Sequence, residues 1–147
     1  MQDNQHVEVN IPSNPIFERV VRASAAEIGE ALDFPEDRIE DLKLAVSEAV
    51  TNAIEHGNQN MIHKLVEIVF ALDQEKLEVR ITDQGSGIGE MILPSEVVMI
   101  TEQTLDERTG GGFGLSLIKA MVDDCEVQSS NRGTIIILRL YRKGQEQ

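Results

Sequence analysis

The stretch LKLAVSEAVTNAIEHGNQN, residues 42–60, decides how the chain is read. Ile39, Leu42, Val46, Ala49, Val50 and Ala53 recur at steps of three and four, the period of an amphipathic helix. That helix starts near Glu36, after the breaker DFPED, and runs to HGN, where Gly57 offers a C-terminal stop. Glu48 and Asn52 lie one turn apart on it, away from the centre of the apolar stripe. A solvated face accounts for both. Beside an anion they acquire a chemistry, because a carboxylate can take a proton from a hydroxyl and an amide oxygen is a hard ligand suited to Mg²⁺.

The flanking segments supply the rest of a fold. HVEVNI alternates polar and apolar residues and stops at Pro12, which predicts a short edge strand over residues 6–11. Ser13 and Asn14 offer caps, with Pro15 at an early helical position, for a first helix over residues 15–32. Its expected core face is Ile16, Val20, Ala23, Ile28 and Leu32. Downstream, KLVEIVFAL and KLEVRITD read as a hairpin over residues 65–72 and 77–83, and CEVQSS pairs with TIIILRLY across NRG. Between the hairpins, FGLSLIKAMVDD is helical, with Leu115, Ile118, Met121 and Val122 inward. The order predicts an α+β fold, a two-layer sandwich with a mostly antiparallel sheet and helices on one face.

A chain of 147 residues suits one domain. Its formal charge of −13 opposes nucleic acid and anionic membranes, although backbone N–H groups can still hold a small anion locally. The single cysteine, Cys125, excludes an internal disulfide and is most simply a core thiol. Without a basic start followed by an apolar run, or any span of membrane length, the expected location is the cytoplasm.

Two glycine-rich segments fall in or beside the long irregular stretch Gln84 to Gly112, whose length marks a functional loop. ITDQGSGIG sets Asp83 before Gly85, Gly87 and Gly89, either as a tight turn or as a place where a ligand ring approaches the backbone while Asp83 accepts from an exocyclic amine. Glu90 stands where a dinucleotide fingerprint has its last glycine. TGGGFGLSLIK places Gly110, Gly111, Gly112 and Gly114 directly before a helix, as a linker or as a phosphate cradle. It is not a Walker A loop, since no Gly-Lys-Ser/Thr follows. His56 suits a capping role, and His6 and His63 lack partner spacing.

Taken in order, EAVTNAIEHG, DQGSGIG and GGGFGLSLIKAMVD resemble the N, G1 and G2 boxes of the GHKL (histidine kinase-like) ATPases, and VSEAVTNAIEHG resembles the anti-sigma factor serine/threonine kinases. The similarity runs from about Asn10 to Leu140. It implies that Asn52 coordinates Mg²⁺ on the ATP phosphates and that Glu48 is the catalytic base. Asp83 would bind the adenine amine, with Gly85 and Gly87 shaping the pocket and the Thr134 hydroxyl supporting the base. Gly110, Gly112 and Gly114 would flank the triphosphate in a lid over about residues 84–112. The implied activity is phosphorylation of a small anti-sigma factor antagonist together with sequestration of a sigma factor, by a homodimer, for which the N-terminal strand offers an interface if its edge is unpaired. The alternative is a nucleotide-dependent regulatory binding module with little or no turnover.

Overall fold

Alternating apolar residues set the sheet, and one apolar helix stripe covers it. The computed structural model describes residues 4–85, 98–99 and 114–142. Strand β1 (Gln5–Pro12) leads through a 3₁₀ turn (Pro15–Phe17) into α1 (Glu18–Ala31) and then α2 (Glu36–Asn52). Strands β2 (Leu65–Leu72), β3 (Lys76–Thr82) and β4 (Val98–Met99) precede α3 (Leu115–Met121), β5 (Asp124–Ser130) and β6 (Gly133–Tyr141). The sheet order is β1-β2-β3-β6-β5-β4, and each described pairing is antiparallel. The expected α+β sandwich is therefore present, with β1 on an edge and both hairpins within a residue of their predicted bounds.

Strand residues two apart share a face. Val66, Ile68 and Phe70 of β2, Leu77, Val79 and Ile81 of β3, and Ile136, Leu138 and Leu140 of β6 are all buried, against Leu42, Ala45, Val46, Ala49 and Val50 of α2. Helix α2 packs against both α1 and α3, which makes it the centre of the helical layer. Gly29 permits the close approach of α1, since a Cβ there would lie 3.1 Å from Ile39 Cγ1. Cys125 packs half-buried against this core, and burial pushes its thiol up to about 11. No helix among the described residues is long and apolar enough to cross a membrane.

Three expectations are corrected. Helix α1 buries Val21, Ala25 and Gly29, whereas Ile16, Val20 and Ala23 are exposed and Ile28 and Leu32 are partly covered. Val21, Ala25, Ile28 and Leu32 are the set that repeats at steps of four, three and four, so Val20 and Ala23 fall off that stripe, while Ile16 lies in the 3₁₀ turn, where its N–H donates to Asn14 Oδ1. The C-terminus of α2 does not stop on a left-handed Gly57. A π-turn, Ala53–Gly57, carries the chain past that residue, and the left-handed positions fall at Gln59 and Asn60. Finally, the stretch read as irregular contains the two-residue strand β4, paired with Gln128 and Ser129 of β5.

Candidate functional site

Asp83 follows β3 directly and is only 5% exposed. Its N–H donates to the Thr134 carbonyl at 3.0 Å, and its Oδ1 accepts from the N–H groups of Gly85 at 2.9 Å and Thr134 at 3.1 Å. Burial holds this carboxyl above the ordinary aspartate range, against the opposing pull of those two N–H donors and of the Lys64 charge. Three glycines make the space around it. A Cβ on Gly57 would lie 2.0 Å from Asp83 Oδ2, one on Gly85 2.0 Å from the Gly57 carbonyl oxygen, and one on Gly133 2.2 Å from the Asp83 carbonyl oxygen. Asp83 thus sits in a notch between the end of α2 and the start of β6.

Helix α2 brings Glu48 and Asn52 to the same region. The solvated-face account fails for Asn52, which is buried at 4% exposure. With α1, α3 and the sheet all packed on α2, positions off its apolar stripe are covered as well. Glu48 is half-buried and meets the start of α3. Gly114 there has φ of 61°, and a Cβ on it would lie 2.6 Å from Glu48 Oε2. The segment holding Asn52 and Glu48 therefore touches the glycine notch at one end and the second glycine-rich segment at the other.

Thr134 is buried on the helix-facing side of β6, and its hydroxyl lies 3.3 Å from Ser129 Oγ. It holds Asp83 through its backbone. Gly87, Gly110 and Gly112, with most of the expected lid, lie outside the described residues. Among the described residues no group of three or more His, Cys, Asp or Glu side chains could hold a metal ion. A cation here would take Asn52 as a protein ligand and would need its other ligands from phosphate and water.

Sequence reasoning missed Gly57, Asn58 and Gly133 as parts of this site. Gly57 passes for a helix stop and Gly133 for the turn residue of NRG, so ordinary local chemistry hides their long-range contacts with Asp83. Asn58 stands outside the three motifs, yet it is fully buried and bonds to the residue after Asp83.

Residues 11–140 match the family model of the histidine kinase-like ATPase domain. Serine-protein kinase RsbW of Bacillus velezensis is 32% identical over 141 residues, covering 95% of this chain and 88% of the relative. Serine-protein kinase RsbW of Bacillus subtilis is 29% identical over 147 residues, covering 99% of this chain and 91% of the relative. A crystal structure of the RsbU and RsbW domains of a Mycobacterium tuberculosis protein superposes with a TM-score of 0.66 at 20% identity, covering 92% of this chain and 32% of that one, and supports the fold. The helix, the glycine notch and these relatives converge, and the chain belongs to the histidine kinase-like ATPases and, among them, to the anti-sigma factor serine kinases that RsbW represents.

Proposed function

We propose that ATP binds between α2 and the adjoining ends of β3 and β6, and that its terminal phosphoryl group passes to a serine or threonine of a small anti-sigma factor antagonist. The same chain would sequester a sigma factor. The observation that carries this reading is Asp83: Oδ1 is engaged by two backbone N–H groups, while Oδ2 packs beside Gly57, where any side chain would collide with it. An exocyclic amine of adenine is the complementary donor for that oxygen. Burial excludes competing water and strengthens the contact.

Glu48, which lies beside Gly114, takes the proton of the attacking hydroxyl in this reading as the new O–P bond forms and ADP departs. Mg²⁺, when bound, neutralises phosphate charge, and Asn52 is the residue that would hold it. Gly114 opens α3 in the left-handed region, so the backbone approaches without a side chain in the way. Gly85 shapes the base pocket by its contact with Gly57. Gly87, Gly110 and Gly112 complete the proposal as parts of the pocket and lid.

Val7 and Val20 are 44% and 46% exposed beside the outer edge of β1, which supports a homodimer formed through that edge. A single monomeric species in sedimentation at micromolar concentration would remove that part of the reading.

The kinase is tested with Glu48→Gln. γ-Labelled ATP and Mg²⁺ are added to the wild type and the variant with an antagonist protein as acceptor. The variant is expected to lose at least about a hundredfold in transfer rate while still binding ATP. Equal labelling by both proteins would remove Glu48 as the base. ATP binding without labelling by either would favour the regulatory binding module.

A further inference from the structure

Asn58 is 0% exposed, although it belongs to the polar turn that follows α2. Every polar group of its side chain is used. Nδ2 donates to Ser13 Oγ at 2.8 Å and to the Leu65 carbonyl at 3.1 Å, and Oδ1 accepts from the Gln84 N–H at 2.7 Å. Its own N–H donates to the Ala53 carbonyl at 2.8 Å, so the π-turn fixes it to the helix that carries Glu48 and Asn52.

What this amide does follows from strand register. Glu67, Val69 and Ala71 of β2 stand opposite Thr82, Arg80 and Glu78 of β3, and at the hairpin end Asp73 N–H bonds to the Lys76 carbonyl. Directly bonded pairs in an antiparallel ladder recur every second residue, so the next pair in this series is Leu65 with Gln84. That pair does not close directly. The Asn58 carboxamide stands between the Gln84 N–H and the Leu65 carbonyl, and the Leu65 N–H is taken by Gln84 Oε1 at 2.8 Å. One side-chain amide acts as a spacer in the ladder, and a second secures the other half of the pair. The ladder opens just past Thr82, where Asp83 turns to Thr134 and Gly85 meets Gly57.

We propose that Asn58 is the positioning residue of the nucleotide base: by holding β2 and β3 apart by the width of one amide, it sets the Asp83 to Gly85 corner against the end of α2. The inference rests on the nucleotide reading of that corner. Asn58 touches no ligand in this account. It acts through the backbone of Gln84, and losing it lets the corner relax into the ladder while the face bearing Glu48 stays in place. Its loss therefore raises the KM for ATP and leaves kcat near the wild-type value.

The test measures Mg-ATP dissociation constants by calorimetry, with apo melting temperatures, for the full chain and its Asn58→Ala, Gln84→Ala, Ser13→Ala and Asp83→Asn variants. Ser13 bonds to the far side of the same amide, so Ser13→Ala reports a purely structural loss. Asn58→Ala is expected to bind about tenfold more weakly, and Gln84→Ala several-fold more weakly, as suits the loss of the two bonds that Asn58 makes across the ladder or of the one that Gln84 makes. Ser13→Ala melts lower with its affinity unchanged. Gln84 is exposed, so its variant keeps the test decisive if Asn58→Ala does not fold. Wild-type affinity in Gln84→Ala, and in Asn58→Ala where it folds, overturns the positioning role while loss in Asp83→Asn leaves the nucleotide reading standing. A wild type that binds no ATP overturns both.

Discussion

At the scale of single residues, the proposed adenine contact rests on Asp83. Because Oδ1 accepts two backbone N–H groups, a proton on this carboxyl goes to Oδ2, the oxygen beside Gly57. Asp83→Asn keeps the carbonyl for the backbone but puts an NH₂ where an acceptor is needed. The expected result by calorimetry is ATP binding weakened by about a hundredfold, with a melting temperature equal to or above the wild type because a buried charge is gone. The pH dependence has a definite sign. Burial raises this carboxyl in the folded state, so the native apo chain holds the proton more readily than the unfolded one. Stability from this group falls as pH rises from the ordinary aspartate value to the raised one, and wild-type ATP affinity falls as pH drops through the same window. Asp83 could be read from the sequence because strand end, aspartate and glycines are consecutive. Gly57 was read for the wrong reason, since the partner that demands a glycine is 26 positions away in the chain.

At the scale of elements, the outer face of the sheet is organised around Arg139 of β6. Its Nε donates to Glu78 on β3 at 3.0 Å, and its Nη1 to Asp124 at 2.7 Å and Glu126 at 3.0 Å on β5. Ile137, one pair along β6 and just 1% exposed, is buried on this face outside the main core. Partial burial raises the Glu78 carboxyl, but Arg80 and Arg139 outweigh it and hold it below the usual range. A depressed carboxyl contributes stability above its unfolded pKa and loses it as pH falls through the folded one. Arg139→Met, which keeps the stem and removes the charge, is expected to cost about 1–2 kcal/mol at neutral pH, discounted for solvent access. The gap from wild type should narrow in acid unfolding titrations. Strand pairing of this kind was legible because alternation is strict. The phase of α1 was not, because Val20 and Ala23 stand next to Val21 and Ala25, and two overlapping apolar sets compete for one stripe.

Over the whole molecule, the arrangement is one sheet face covered by a helical layer with α2 at its centre. Ligand in hundredfold excess over its Kd adds about 2.7 kcal/mol, or roughly 5–10 °C at this size, so Mg-ATP should raise the melting temperature by that amount in a thermal shift measurement. No shift would count against the pocket. The layer architecture was legible because helix and strand periods are both strong. The meeting of Glu48 with Gly114 and of Asp83 with Gly57 was carried by the order of three motifs, whose spacing through the fold no local pattern states. Sheet order carries a final consequence. β6, the last described strand, lies between β3 and β5 and supplies both N–H and carbonyl partners to Asp83. During synthesis the ribosome must release residues 133–141 before that corner can form, so a nascent chain stalled upstream of them has no formed site for nucleotide. Competence to bind ATP thus becomes a report that translation has passed β6.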